Sequence, residues 1–296
     1  AGFAVTVCDP TGPASGASGN PAGLVLPRLD LDATPAAQFY RQAWLYTTAL
    51  IAELEAGADA PILRSEGGLL LAKTTQDADR HRRLAETFEG APELVTRPGP
   101  VAGGFAECAA SPDAHLLVQR GGTIDPAVFV RALLQGTRII NEPFTGFATR
   151  EDSIEVTLAG QDGPVIHETD YLVIATALAA REHLPGHGLA GSLGQVDVIE
   201  AAPPPRAVTF GNYAAPLGAH TITGATYENH DELKPAAPSP ERTRQNIAAL
   251  RAMAPHVPAT PDIISRRTAI RAVTPDRHPV AGPMPDPAHV QAFPGR

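Results

Sequence analysis

The feature that most constrains the fold lies near the start of the chain, where an apolar run ends in an acid and small residues follow. The run FAVTVC begins at Phe3 and stops at Asp9, and GASGNPAGLV occupies residues 16–25. A nearly continuous apolar, β-branched run predicts a buried strand with a carboxylate at its C-terminal tip. Small residues beyond that tip let the backbone approach a bulky neighbour and leave N–H groups for an anion. That neighbour is either a ligand or a packed helix.

Composition is that of an ordinary globular protein. Of 296 residues, 43% are hydrophobic and 19% charged, which suffices for a core in one large or two moderate domains. No apolar run approaches the roughly 20 residues of a membrane span, and no signal peptide is visible. The net charge of −9 argues mildly against an RNA partner, because proteins that bind nucleic acid are more often basic.

The cysteines and histidines suggest neither a disulfide framework nor a metal site. Cys8 and Cys108 are too few for either and fit a reducing cytoplasm. We expect Cys8 in the core, because it lies inside the first predicted strand. His183 and His187 lie in a Pro/Gly loop with no acidic residue at ligand spacing. The chain begins at Ala1, already within a strand, which indicates a fragment.

Helices and strands alternate at both ends of the chain, while residues 137–227 are rich in strands. Thr34, Asp125 and Ser239, each followed by proline, predict three helix starts. The polar segment TTQDADRHRRLAETF predicts a fourth, exposed helix. Strands are predicted for HLLVQ, TRII, SIEVTLA, YLVIAT, GQVDVIE, AVTF, HTITGATY and DIISRRTAIRAVT. This order predicts an α/β nucleotide-binding part interrupted by a mixed-sheet substrate part.

Three sets of residues are candidates for binding. Asp9 could hydrogen-bond a dinucleotide ribose, although taken alone it reads as a turn carboxylate. Ser18 and Asn20 could be donors beside a flat cofactor, or members of a tight turn. Arg271 and Tyr213 could hold a carboxylate. The ordinary alternatives are that Arg271 forms a surface ion pair and that Tyr213 is a half-buried packing residue. No nucleophile elbow or paired-acid signature is present.

Taken in order, these motifs resemble the FAD-dependent D-amino-acid/glycine oxidase superfamily. GASGN with a following glycine and proline, early in the chain, and R..T.D..P..G, late in the chain, carry the likeness, which spans nearly all residues. The closest likeness is to its tRNA-modifying branch. The resemblance implies an incomplete Rossmann-like FAD-binding domain with an inserted mixed β-sheet substrate domain. The FAD-binding part would comprise residues 1–70 and 115–190, the substrate part 71–114 and 191–270, and 271–296 would return to the first.

The resemblance also implies residue roles. Tyr213 and Arg271 would hold the substrate carboxylate, and Gly194 and Gln195 would lie on the substrate side. The residues implied to bind FAD are Asp9, Ser15, Gly16, Ala17, Ser18, Gly19, Asn20, Gly23, Phe144, Ala175 and Thr176. The sequence departs from the family where Ala177 replaces the glycine of the ATG motif. The glycine-rich first turn and C-terminal flavin segment are also missing.

The implied reaction is oxidation of a secondary amine. In the tRNA-modifying branch, FAD-dependent oxidation removes the carboxymethyl group of 5-carboxymethylaminomethyl-uridine at the wobble position, giving aminomethyl-uridine and glyoxylate. The partner would be tRNA, in the cytoplasm, with a fused methyltransferase domain outside this chain. Two alternatives stay open: a small-molecule glycine or D-amino-acid oxidase or dehydrogenase, and a flavin-free, non-catalytic fragment.

Overall fold

Four α-helices and fifteen strands build the part of the chain that this computed structural model describes, residues 2–97, 115–183 and 188–284. Cys108, His187 and residues 285–296 of the segment 271–296 named above lie outside those residues. The helices are α1 Pro35–Glu55, α2 Thr75–Thr87, α3 Pro126–Leu133 and α4 Pro240–Met253. Short 3-10 helices occupy Ala17–Gly19 and Ala177–Glu182.

The strands are two to eleven residues long. They are β1 Thr6–Cys8, β2 Gly23–Val25, β3 Leu63–Leu70, β4 Val95–Thr96, β5 Leu116–Ile124, β6 Arg138–Ile140, β7 Phe144–Thr149, β8 Ile154–Gly160, β9 Gly163–Thr169, β10 Ala190–Ile199, β11 Ala207–Thr209, β12 Tyr213–Leu217, β13 His220–Gly224, β14 Glu228–Asn229 and β15 Ile263–Val273.

The predicted helix starts are confirmed by their caps. The Thr34 hydroxyl accepts a hydrogen bond from the Ala37 amide at 3.2 Å, and Ser239 accepts from Arg242 at the same distance. Asp125 accepts from the amides of Ala127 and Val128. In each case proline follows the cap, where its missing N–H costs nothing.

A ten-stranded mixed sheet forms the centre of the molecule. Its order is β14-β10-β13-β12-β11-β3-β5-β2, with β15 paired to β10 and β4 to β5. Strands β2, β3 and β5 belong to segments that we assigned to the FAD-binding part, yet they continue the sheet of the substrate part. The expected boundaries at residues 70 and 115 therefore do not separate two sheets, because β3 pairs in parallel with β11.

Helix α4 and the loop before β2 pack on opposite faces of this sheet. Ile247 and Leu250 of α4 pack against a buried cluster that includes Ile199 and Val208. On the other face Ala22 packs with side chains from β10, β12 and β13. The sheet thus separates a helix-covered side from a side that faces the small-residue loop.

The first strand is exposed, contrary to the expectation of a buried one. β1 pairs in parallel only with β6, in a two-stranded sheet, and Phe3 and Val5 are 69% and 58% exposed. Cys8 is an exposed free thiol rather than a core residue. The physical reason is that, among the described residues, no helix or second sheet neighbour covers this pair of strands.

The predicted strand YLVIAT is also wrong as a strand. Residues 171–176 have no regular structure, and Tyr171 and Val173 are 73% and 83% exposed. The ring of Tyr171 packs edge-on against Phe3 at 5.9 Å, so the segment lies beside the start of β1. It lacks strand structure because no described strand is hydrogen-bonded to it. The apolar pattern indicates a preference for β-structure, and that preference produces a strand only where a neighbouring strand pairs with the segment.

Candidate active site

A large cavity opens between the end of β15, the loop that follows it and residues 174–180. Its volume is about 1210 Å³, and its walls include Tyr40, Ala175, Tyr227, Arg271 and His278. Aromatic rings and small alanines supply much of the lining, and guanidinium groups supply positive charge. A cavity of this kind, mostly apolar with a few polar groups, is typical of a site for an organic ligand or cofactor.

Strand β15 directs two arginines to the same face. Arg267 and Arg271 are four residues apart, so their side chains share a face about 13 Å apart along the strand. Arg267 Nη2 donates to the backbone carbonyls of Ser15 at 2.8 Å and Gly16 at 2.7 Å. The Arg271 guanidinium lies 5.6 Å from the centre of the Tyr227 ring. One strand therefore contacts the small-residue loop at one point and lines the cavity at another.

Tyr213 completes a polar group with these residues. Burial raises the pKa of its phenol well above the ordinary value, the negative charge that Tyr227 would carry adds to the rise, and Arg271 opposes it more weakly. Tyr213 is therefore a neutral hydrogen-bond donor at physiological pH. It packs against the cluster that contains Ala22, and it is not among the residues that line the cavity. Below, "arginine–tyrosine group" means Tyr213, Tyr227 and Arg271.

The glycines of the small-residue loop, residues 15–23, differ in how much space surrounds them. A Cβ on Gly19 would lie 2.1 Å from the Ala14 carbonyl oxygen and 2.8 Å from Arg267 Nη2, so a side chain is excluded there. A Cβ on Gly16 would meet nothing within 4 Å, and one on Gly23 would press on Pro126 at 3.0 Å. Close packing therefore requires glycine at position 19, whereas the absence of a side chain at Gly16 leaves the backbone accessible to a ligand.

The remaining predicted cofactor residues lie at several places. Asp9 stands at the tip of β1, where its Oδ1 accepts from the amide and hydroxyl of Thr11, and it is not part of the cavity wall. Ala175 lines the cavity, and Thr176 follows it directly. Phe144 begins β7 and packs edge-on against His183 at 4.7 Å. Within the loop, Ala17, Ser18 and Gly19 form the 3-10 turn and Asn20 follows it.

The side chain of Gln195 does not line the cavity but points toward α4. Side chains alternate along β10, so Ser192, which lines the cavity, shares a face with Gly194 and not with Gln195. The Gln195 amide is fully buried and bonds Asp197, Thr243 and the backbone of Ser239. It joins α4 to the sheet. A Cβ added at Gly194 would lie 3.1 Å from the carbonyl oxygen of Thr226.

Several site residues were missed at the level of sequence. Tyr227 ends the predicted strand HTITGATY, which carries no signal of a binding role. Arg267 lies four residues before Arg271, a spacing that places both side chains on one face of a strand and could have revealed it. Tyr40 was hidden in a helix; its hydroxyl donates to the Arg277 carbonyl at 2.9 Å, and its ring stacks on His278 at 6.1 Å. Contacts across more than 230 residues leave no local signal.

Other classes of site find no support in the described ranges. No group of three or more histidine, cysteine, aspartate or glutamate side chains there could hold a metal ion. Among those same residues, no helix has both the length and the apolar character needed to cross a membrane.

Fold and site together define a flavoenzyme. All of residues 1–296 match the family described as FAD dependent oxidoreductase, so the chain belongs to that family and its cofactor is FAD. The expected fold class and cofactor are confirmed. Glycine oxidase from Geobacillus kaustophilus superposes with a TM-score of 0.73 at 19% identity, covering 95% of this chain and 80% of that one. Iminodiacetate oxidase from Chelativorans sp. BNC1 gives 0.73 at 20% identity, with 93% and 78% covered.

The similar curated sequences point to one branch of that family. The tRNA 5-methylaminomethyl-2-thiouridine biosynthesis bifunctional protein MnmC of Burkholderia multivorans (strain ATCC 17616 / 249) is 32% identical over 94% of this chain. The protein of the same name from Maricaulis maris (strain MCS10) is 28% identical over 98%. The chain spans 44% of the length of each.

The residues present fit a flavin dinucleotide. Two buried polar atoms at the small-residue loop, the Nε of Arg267 and the Oδ1 of Asn20, lack a hydrogen-bond partner among the described residues. Leaving such groups unpaired costs about 1–3 kcal/mol each. One is a cationic donor and the other an acceptor, and FAD carries both an anionic diphosphate and hydroxyl groups. The loop therefore offers complementary groups to that cofactor.

Proposed function

We propose that this chain is the oxidoreductase part of a tRNA-modifying enzyme that oxidises a secondary amine. The substrate would be 5-carboxymethylaminomethyl-uridine, with or without 2-thio substitution, at the wobble position of tRNA. Loss of hydride from the carboxymethyl carbon turns the C–N bond into an imine. Water then cleaves the imine, which releases glyoxylate and leaves aminomethyl-uridine. Bound FAD supplies the acceptor for the hydride.

The arginine–tyrosine group is the observation that carries this proposal. A carboxylate that enters the cavity meets the Arg271 guanidinium, which can donate two parallel hydrogen bonds to it. The Tyr227 ring limits where that guanidinium can move, since a cation over an aromatic face is attracted to it. The neutral phenol of Tyr213 adds a third donor. Fixing the carboxylate in this way fixes the position of the adjacent C–H bond.

The protein needs no dedicated acid–base pair for this step if the amine arrives unprotonated. The cavity wall holds Glu228, but Arg242 engages that carboxylate through two hydrogen bonds of 2.7 and 2.8 Å. Its pKa lies below the usual range because Arg242 bonds it, which outweighs desolvation. Glu228 is thus a structural anion rather than a proton acceptor, and the chain's contribution is orientation and exclusion of water.

For the cofactor we propose the residues implied by the family. Asp9 would hold the adenosine ribose, and residues 15–23 would lie along the diphosphate and flavin ring. Phe144 would contact the adenine through its backbone, and Ala175 and Thr176 would line the dinucleotide. The unpaired atoms of Arg267 and Asn20 support the second of these assignments.

The tRNA substrate is supported by the names of the similar curated proteins rather than by charge. Those relatives are more than twice as long as the matched region, which leaves room for a methyltransferase domain outside this chain. The cytoplasm is the compartment that fits a tRNA substrate. A small-molecule amino-acid oxidase remains the second candidate, since the superposed oxidases share the fold.

The test compares two substrates on flavin-loaded protein. Purified chain is incubated with FAD and then with tRNA carrying carboxymethylaminomethyl-uridine or with glycine. We expect a yellow protein, glyoxylate release from the tRNA, and aminomethyl-uridine in its nucleoside digest. Oxidation of glycine alone would favour the small-molecule oxidase, and a colourless, inactive protein would favour a non-catalytic fragment.

Arg271→Gln provides the residue-level test of the same proposal. An ion pair desolvated by bound substrate is worth about 2–5 kcal/mol, so kcat/KM should fall by at least about 30-fold. The control is Arg244→Gln on α4, whose side chain is 70% exposed and pairs with Glu241. Near-normal kcat/KM in Arg271→Gln would remove the arginine from the mechanism.

A further inference from the structure

We infer that Arg267 is a positioning residue that fixes the small-residue loop in its cofactor-binding conformation. The inference needs the family's flavin but not the tRNA substrate, so it stands or falls separately from the proposed reaction. The starting observation is that one guanidinium nitrogen donates to two consecutive carbonyls, those of Ser15 and Gly16.

The loop has few other restraints of its own. Its internal backbone bonds are those of short turns, from Ser15 to Gly12, Gly19 to Gly16 and Asn20 to Ala17. Its 3-10 turn contains no buried residue. Short turns without a buried side chain open easily in solution. The far end of the loop is held by the packing of Ala22 and the pairing of Gly23 with Ile124. The charged hydrogen bonds from Arg267 therefore tie its beginning, Ser15 and Gly16, to the central sheet.

The strand that carries Arg267 is rigid. β15 pairs with β10 along nearly its whole length, from Ala190↔Val273 to Ile199↔Ile263. Arg267 stands opposite Val196, a buried residue, in the middle of that ladder. The guanidinium of Arg267 thus fixes the position of the loop relative to the central sheet.

The shape of the loop matches the presence of this guanidinium. An ideal Cβ on Gly19 would lie 2.8 Å from Arg267 Nη2, so the loop closes over the arginine only where a side chain is missing. The buried Nε–H of Arg267 has no partner among the described residues. An anionic group beside the loop would satisfy that donor, which places Arg267 between the loop and its ligand rather than merely beneath the loop.

The experiment uses the purified chain with FAD as the titrant. We compare wild type, Arg267→Leu, Arg267→Lys and the exposed control Arg244→Gln by flavin fluorescence, and measure amide hydrogen exchange of residues 12–20 without FAD. Arg267→Leu should raise the Kd for FAD by about tenfold and speed loop exchange by a similar factor. Arg267→Lys should recover part of both, because one ammonium can reach a carbonyl.

Three results would overturn the inference. The first is an unchanged Kd together with unchanged loop exchange in Arg267→Leu. The second is faster exchange throughout β10 and β15, which would indicate a general loss of stability. The third is a failure of Arg267→Lys to differ from Arg267→Leu. Should the wild-type chain bind no FAD, loop exchange alone decides, and slow loop exchange in Arg267→Leu contradicts the inference.

Discussion

Ala177 shows at the scale of one residue how this chain differs from its family. Its φ is +50°, in the left-handed region, and it lines the cavity directly after Ala175 and Thr176. A Cβ in that region approaches the following carbonyl oxygen and costs roughly 1–2 kcal/mol. The departure from the ATG pattern that the resemblance implies therefore falls on a strained backbone position.

Ala177→Gly should therefore stabilise the protein. Relief of the strain, reduced by the greater freedom of glycine in the unfolded chain, predicts a gain of about 0.5–1 kcal/mol in the free energy of unfolding. Urea unfolding measures it. The matched control is Ala179→Gly in the same 3-10 helix, where φ is not positive and glycine should destabilise. Equal signs for the two variants would contradict this account.

Tyr213 gives a pH dependence with a definite sign. Because burial raises the pKa of its phenol in the folded state, the unfolded chain loses that proton first as pH rises. The contribution of Tyr213 to stability is complete below about pH 10, the unfolded value, and declines as pH rises toward the folded pKa.

Tyr213→Phe should flatten the decline of stability above pH 10. The measurement is urea unfolding at pH 8 and at pH 10.5 for wild type, Tyr213→Phe and Tyr46→Phe. Tyr46 is 70% exposed and serves as the control. A wild-type slope retained in Tyr213→Phe would show that this phenol ionises normally.

At the scale of elements, helices could be predicted from the sequence and parts of the sheet could not. A helix cap depends on residues close together in sequence, so Thr34, Asp125 and Ser239 each predict a helix that begins at the next residue. The pairing of β3 with β11 joins residues far apart in sequence, and no local pattern signals it. The direction of the side chains on β10 could not be predicted from the sequence either. The pair Gly194 and Gln195 was expected on the substrate side, whereas the side chain of Gln195 points toward α4.

Asp197 joins α4 to the sheet. Its carboxylate is fully buried and accepts hydrogen bonds from Gln195 at 3.0 Å, Thr243 at 2.7 Å and Asn246 at 2.7 Å. Arg266 Nε lies 3.8 Å from the same group. The carboxylate thus satisfies three buried donors, while the Oδ1 of Asn246 has no partner among the described residues.

Asp197→Ala should lower the free energy of unfolding by about 3–5 kcal/mol, because it leaves several buried donors without an acceptor. Denaturant unfolding followed by circular dichroism tests this. Asp162→Ala, exposed in the turn between β8 and β9, should change stability by less than about 0.5 kcal/mol. A cost below 1 kcal/mol at Asp197 would mean that water replaces the carboxylate.

At the scale of the whole molecule, the sheets differ in how well they are supported. The ten-stranded sheet has buried clusters on both faces, whereas β1 and β6 form a pair whose side chains are mostly exposed. Two strands alone are marginally stable in water. The sequence predicted a buried β1 because its composition is apolar, but burial depends on what packs against it.

Amide exchange should therefore follow sheet membership. We expect the amides of Thr6–Cys8 and Arg138–Ile140 to exchange at least a hundredfold faster than those of β10 and β13, since small units open without global unfolding. Mass-spectrometric hydrogen exchange resolves both regions. Equal protection would show that the two-stranded sheet opens only with the rest of the molecule.

The shared face of β15 has an evolutionary consequence. Because successive side chains on a strand alternate sides, a one-residue insertion or deletion before Arg267 would turn Arg267 and Arg271 away together. The proposed contact of Arg267 with the flavin-binding loop and the proposed contact of Arg271 with the substrate carboxylate would then be lost in one event. Lineages of this enzyme should tolerate length changes in the connections on either side of that strand, but not within its ladder.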